Sequence, residues 1–217
     1  MFVILSITMS KVYDNFMNYE LILATNNKHK LHEVRSILTP HNIIVYGLDD
    51  LNLDVKDVEE NGKSYAENAL IKAKAVQEAT NMPIIADDSG LEIISLNNEP
   101  GMLSARYASS LGGHDKAIKE ILKRLEDKDN RSARFVCDIV ALNIEDKPLV
   151  FEGIAEGVIG KEKQGEGGFG YDPIFIYGEN GHCFGLMDEK EKNTVSHRAK
   201  ALNKLILYLK INGLVPL

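Results

Sequence analysis

The sequence predicts an α/β protein built on one long mixed β-sheet flanked by helices, and three observations carry that prediction. Short apolar runs of strand length alternate with amphipathic helical patterns along the chain. Two longer runs, 134–143 and 149–159, are joined by Glu145-Asp146-Lys147-Pro148 and read as an antiparallel hairpin, which makes the sheet mixed. No internal repeat, low-complexity tract or Pro/Gly/Ser-rich linker divides the 217 residues. At roughly 150 residues per domain, the length fits one domain of two lobes over 17–217.

Taken in order, Leu21–Ala24 forms the first strand. Residues 1–16 are expected to lie outside the core as an N-terminal extension, because Met17 stands just before that strand. The apolar stretch from Phe2 to Met9 falls well short of the roughly 20 residues that span a bilayer, and it lacks the basic region and cleavage site of a signal peptide. Leu31, Val34, Ile37 and Leu38 share one helical stripe, which Pro40 ends. Ile43–Tyr46 is the second strand. Ser64-Tyr65-Ala66-Glu67 has capping-box spacing and opens a helix that turns Ala69, Leu70, Ala73 and Val76 inward. Ile84–Ala86 and Leu91–Leu96 read as two short strands separated by an Asp-Ser-Gly segment. A third amphipathic pattern holds Ile118, Ile121, Leu122 and Leu125. After the hairpin, Ser196 caps a last helix whose apolar stripe is Leu202, Leu205, Ile206 and Leu209.

Composition narrows the function. With 44% apolar and 26% charged residues the chain is of ordinary globular type, which excludes disordered and collagen-like classes. Lys plus Arg number 25 against 32 Asp plus Glu, a net charge of −7, which argues against a sequence-independent grip on nucleic acid or an anionic membrane. Any phosphate site must therefore be local. Cys137 and Cys183 are the only cysteines, without the spacing of a zinc or redox site, and point to a reducing, cytoplasmic setting.

Five segments can carry chemistry. The loop Thr25-Asn26-Asn27-Lys28-His29-Lys30 joins the first strand to the first helix, where free backbone N–H groups and a lysine suit an anion, though a plain helix cap would explain it too. Asp87 and Asp88 follow a buried strand. Alternation lets only one of them face a given cleft, and the pair reads either as a magnesium site or as an Asp-Ser-Gly turn. Glu59-Glu60-Asn61-Gly62 is an acidic turn that gains meaning only if it shares a cation with Asp88. On the helix that follows, Asn68 and Lys72 lie on one face. Gly165–Pro173 sets four glycines around Phe169, so the ring is placed either to stack on a planar ligand or to tuck into the core. Finally, His197 and Arg198 put positive charge at a helix start, where the dipole disfavours it. An anionic ligand or salt links to Asp188, Glu189 and Glu191 would account for that equally.

The motifs T-N-N-x-x-K, S-Y-x-E-N-A-x-x-K-A, A-D-D-S-G, P-G-x-x-S-A-R-Y, G-G-F-G-Y-D-P and S-H-R occur in this order. In this the chain resembles the inosine triphosphate pyrophosphatase family, from Leu21 to about Leu209. The resemblance implies Mg²⁺-dependent hydrolysis of ITP, dITP and XTP to the monophosphate and pyrophosphate, by homodimers with a nucleotide cleft between two lobes. It implies Glu59 and Asp88 as metal ligands, Asp88 also as general base, and Lys30 and Lys72 as catalytic partners. Phosphate binding falls to Thr25, Asn26, Asn27, Lys28, His29 and Lys30, with Ser89, Lys72 and Lys192. Base recognition falls to Phe169, Gly170, Tyr171 and Asp172, with His197 and Arg198. Pro100-Gly101 and Ser104-Ala105-Arg106-Tyr107 shape the cleft.

Asn26 stands where glycine is frequent in such proteins, and Glu166 where a small hydroxylated residue is commoner. Donors at 197–198 would favour the 6-oxygen of inosine or xanthine and leave the adenine amino group unpaired. Two other readings share the motifs. One is a pyrophosphatase of modified pyrimidine triphosphates, and the other is a nucleotide-binding sensor without turnover.

Overall fold

The computed structural model describes residues 18–55, 58–178 and 181–217. The extension expected at 1–16 lies outside them. Eight strands form one sheet: β1 (Tyr19–Leu23), β2 (Ile43–Tyr46), β3 (Ile84–Ile93), β4 (Glu99–Gly101), β5 (Ser132–Leu142), β6 (Leu149–Ile159), β7 (Phe175–Tyr177) and β8 (His182–Cys183). Their order is β2-β1-β3-β5-β6-β7-β8, with β4 attached to β3. The β1 pairings with β2 and β3 are parallel and the remaining ladders antiparallel, so the sheet is mixed as the hairpin predicts. The chain leaves β1 for β2 and returns to β3 on the other side of β1. The topological switch therefore lies at the carboxyl end of β1, the place where open α/β sheets bind ligands.

Helices cover both faces. On one face α1 (Lys28–Leu38) and α6 (His197–Ile211) bury Val34, Ile37, Leu38, Leu202, Leu205 and Leu209 against Leu21, Leu23, Ile85, Cys137 and Ile139. On the other, α2 (Tyr65–Gln77) sets Ala69, Ala73 and Val76 on Ile84, Ala86 and Val140. A third cluster gathers α4 (His114–Arg124) with Leu91, Ile93, Phe135, Ile174, Phe175 and Phe184 around the far half of the sheet. Short α3 (Ser104–Ser110) and α5 (Glu189–Val195) complete the set.

Local signals account for most boundaries. Ser64 Oγ accepts the Glu67 N–H at 3.1 Å, and the Glu67 carboxylate reaches back to the Lys63 N–H, one residue beyond the standard capping-box partner. Ser196 caps α6 through the Ala199 N–H at 3.2 Å. The one large departure is β3, which runs unbroken from Ile84 to Ile93 where two strands and a turn were expected. Asp87, Asp88, Ser89 and Gly90 pair in register with Ile139, Asp138, Cys137 and Val136 of β5. A ladder along the full length of β5 overrides the turn preference of Asp-Ser-Gly. Gly90 fits because a Cβ there would sit 2.1 Å from the Gly101 carbonyl oxygen.

Candidate active site

At the carboxyl end of β1, Asn27 caps α1: its Oδ1 accepts from the His29 and Lys30 N–H groups at 2.9 and 3.2 Å. The cap points Lys30 into the sheet, where Nζ lies 3.0 Å from Asp87. Asp87 is fully buried and also takes Arg198 Nη2 at 2.8 Å. Burial alone would raise the Asp87 pKa, but Lys30, Arg198 and Lys72 outweigh it and hold the carboxyl far below its usual range.

Asp88 leaves the opposite face of the strand. Its Oδ2 accepts the Asn68 amide at 3.0 Å, and Oδ1 lies 3.4 Å from Lys72 Nζ, which is equally far from Glu60. Gly62 N–H donates to Asn68 Oδ1 at 2.8 Å, so Asn68 ties the acidic turn to Asp88. Burial raises the Asp88 pKa above 3.8 against the opposing pull of Lys72, the Asn68 hydrogen bond and Lys30. Burial pulls Lys72 down, but Asp88, Asp87 and Glu60 more than offset it and raise its pKa.

A cleft of about 210 Å³ is lined by Lys30, Glu60, Lys72 and Asp88 together with Phe169, Tyr171, Lys192 and His197. An adjoining cavity of about 270 Å³ is lined by Thr25 and Asn26 and shares Asn27, Lys30, Glu60 and Lys72 with it. Gly153 lets α6 rest on β6, since a Cβ there would meet the His197 carbonyl oxygen at 2.0 Å. His197 stacks on Phe135 at 4.7 Å and its buried Nδ1 has no hydrogen-bond partner among the described residues. Burial, then Arg198 and Lys192, push its pKa well below 6.5, so the ring is neutral. Arg198 is 1% exposed. It donates to Asp87 from Nε and Nη2, to Ser89 from Nη2 and to Glu33 from Nη1, which leaves one of its five N–H groups, on Nη1, for a ligand. Lys192 bridges Asp172 at 2.7 Å and Glu33 at 3.4 Å.

The Ham1 family model matches residues 21–208. A dITP/XTP pyrophosphatase of Dictyoglomus thermophilum is 44% identical over 192 residues, covering 87% of this chain and 93% of its own length. Among solved structures, the Staphylococcus aureus Ham1 protein superposes with a TM-score of 0.78 at 38% identity, over 89% of this chain and 99% of that one. A HAM1 protein from Coxiella burnetii gives the same TM-score and identity over 88% and 98%. The chain belongs to the Ham1 family.

In this Ham1 chain the structure brings together most of the residues the sequence singled out, with instructive exceptions. Asn27, Lys30, Lys72, Asp88, Ser89, Phe169, Gly170, Tyr171, Asp172, Lys192, His197 and Arg198 all line the cleft, and Thr25 and Asn26 line its continuation. Lys192 stands 4.8 Å over the Phe169 ring. Lys28 and His29 are exposed and line other cavities. Glu59 is exposed as well, and Glu60 is the acid that faces Lys72 and the cleft. Phe169 joins none of the three apolar clusters, so the core alternative for it does not hold. Glu166 is exposed and off the cleft wall.

Sequence reading missed Glu33 and His114. Glu33 is 6% exposed and accepts from both Arg198 and Lys192. Its signal was a charge at position i−4 from Ile37 on the apolar face of α1. His114 lines the cleft edge-on to Tyr171 at 5.2 Å. Of the two accounts of the charge at the start of α6, the links from Arg198 to Asp188, Glu189 and Glu191 are not among its ion pairs in the described residues, which are to Asp87 and Glu33. Asp188 caps α5 through the Glu191 N–H, while Glu189 and Glu191 pair with His32 and His182. No helix of the described residues is long and apolar enough to cross a membrane.

Proposed function

We propose that this protein hydrolyses the non-standard purine nucleoside triphosphates ITP, dITP and XTP to the monophosphate and pyrophosphate, with Mg²⁺, and so cleanses the nucleotide pool. One observation carries the reading: a cluster of lysines and carboxylates around Asp88 and the aromatic and polar groups of Phe169, His197 and Arg198 line one cleft. The names of the similar proteins agree with it.

The residues present fit the metal. Glu60 and Asp88 offer hard oxygens to the point now filled by the Lys72 ammonium, 3.4 Å from each. Magnesium takes one or two protein carboxylates and fills its other positions with water and phosphate oxygens. Glu60 and Asp88 would hold it here, with Glu59 one residue away, and when bound it neutralises charge on the triphosphate.

The remaining work falls to the chain itself. Asn68 holds Asp88 Oδ2 and so orients the carboxylate that would take a proton from the attacking water. Burial makes that carboxylate a stronger base than an exposed aspartate. Lys30 and Lys72 are placed to neutralise the pyrophosphate as it leaves. Phe169 gives a ring for the purine to stack on. The spare Arg198 Nη1 N–H would donate to the oxygen of a 6-oxo purine, while a 6-amino group would face that donor. Rejection of ATP by about 10²-fold or more follows from that mismatch. The buried, unpaired Cys137 and Cys183 support a reducing compartment, and the resemblance supports a homodimer.

The test is release of monophosphate and pyrophosphate from ITP, XTP, dITP, GTP, ATP and dUTP, with Mg²⁺ and with EDTA. Mg²⁺-dependent conversion of ITP and XTP and slow conversion of ATP are expected. Preference for dUTP would replace the purine reading by a pyrimidine one, and tight binding without product would make the protein a sensor.

A further inference from the structure

Phe169 has a partner that neither the fold nor the cleft requires. His29, exposed on the first turn of α1, stacks on its ring with centroids 5.6 Å apart and planes 16° from parallel. Phe169 belongs to none of the three core clusters, and beside this contact its ring has Lys192 Nζ at 4.8 Å and the Arg198 guanidinium carbon at 5.7 Å. The loop backbone beneath it is fixed. Phe169 N–H donates to Asp172 Oδ2 at 2.8 Å, and Gly168 at φ +68° leaves no room for a Cβ, which would meet that same oxygen at 2.1 Å.

Position separates His29 from the nucleotide cleft. Phe169 lines both that cleft and a neighbouring cavity of about 270 Å³, whereas His29 lines only the second. The imidazole therefore meets the ring at the cavity that the two residues share, outside the cleft lining.

We infer that His29 is a positioning residue for base recognition: it braces Phe169 as the stacking platform and ties the phosphate-binding turn to the base-binding loop. The inference rests on the proposed reading that the purine stacks on Phe169. Without the brace, the phenyl ring on its glycine-rich loop rotates freely and each binding event must order it again. The brace springs from the turn capped by Asn27, which also carries Lys30, so seating of phosphate at that turn and seating of the base share one rigid element.

The test compares KM and kcat for ITP with inhibition by tripolyphosphate, a ligand without a base, in His29→Ala, His29→Phe, Phe169→Ala and the His29→Ala/Phe169→Ala double variant. His29→Ala is expected to raise KM for ITP about 3–10-fold, the size of one aromatic pair, with the loss on KM and the tripolyphosphate inhibition constant unmoved. His29→Phe restores KM, and His29→Ala adds nothing once Phe169 is gone. Equal weakening of ITP and tripolyphosphate would overturn the inference by making His29 a phosphate residue, as would additivity in the double variant. Phe169→Ala with an unchanged KM would instead remove the stacking reading on which it stands.

Discussion

On one face of β3, Asp87 is surrounded by Lys30 and Arg198, with its pKa driven down. On the other, its neighbour Asp88 is buried with a single lysine and an amide, and its pKa is driven up. The two side chains are identical, adjacent and both at most 6% exposed. Their difference comes from what α1 and α6 deliver to one face and α2 to the other. Asp87 is over-supplied with cations and holds three elements together. Asp88 is under-supplied, and a carboxylate short of positive charge in a cleft is where a divalent cation and a proton acceptor are useful.

The sharpest break of that comparison is Asp88→Asn. It should lower ITP turnover by about 10²–10⁴-fold, the range for a lost general base, while leaving the melting temperature unchanged or higher. A modest loss of turnover at Asp88 and a larger one at Asp87 would exchange their roles.

Asp87→Asn should act on the fold first, because it strips Arg198 of one of two buried carboxylate partners. A loss of about 3–5 kcal/mol in denaturant unfolding is expected, as for other half-broken buried pairs. Stability equal to the parent would show that Glu33 alone satisfies Arg198.

A smaller effect concerns His197, the buried neutral neighbour of that network. Its folded pKa lies well below 6.5. Its share of stability is therefore complete above the unfolded value and is lost as pH falls beneath about 6.5, where only the unfolded chain binds the proton. The slope should approach about 1.4 kcal/mol per pH unit for this one group. His114 and His41, both lowered by burial, add to it in the same direction. Chemical denaturation from pH 7 to pH 5 should show a shallower fall for His197→Gln than for the parent.

Much of this frame was legible in the chain. The strands Ile43–Tyr46 and 149–159 appear at the expected residues, and Ser64, Asn27 and Ser196 cap their helices, because periodicity and capping are short-range. The cleft's composition was legible too, since its motifs each occupy a few consecutive residues. The continuity of β3 was not, because Asp-Ser-Gly prefers a turn until β5 offers it a ladder. Adjacent acids in an irregular turn have no period, so nothing in Glu59-Glu60 told which one faces Lys72. A cavity of about 700 Å³ around Lys123, Lys128, Arg131 and Lys161 shows the converse limit. Its Arg131 guanidinium is already taken up by the Leu125, Ile159 and Gly160 carbonyls.

The sequence by itself determined the α/β class, the mixed sheet, the helix starts and the roster of charged and glycine-rich segments, all of which depend on residues within one or two turns of each other. Only the tertiary structure decided how those charges pair. Arg198 finds Asp87 and Glu33 at separations of 111 and 165 residues, and Phe169 meets His29 of α1. Burial and charge set which carboxylate is a strut and which is a base, and both are sums over neighbours that only folding brings within reach.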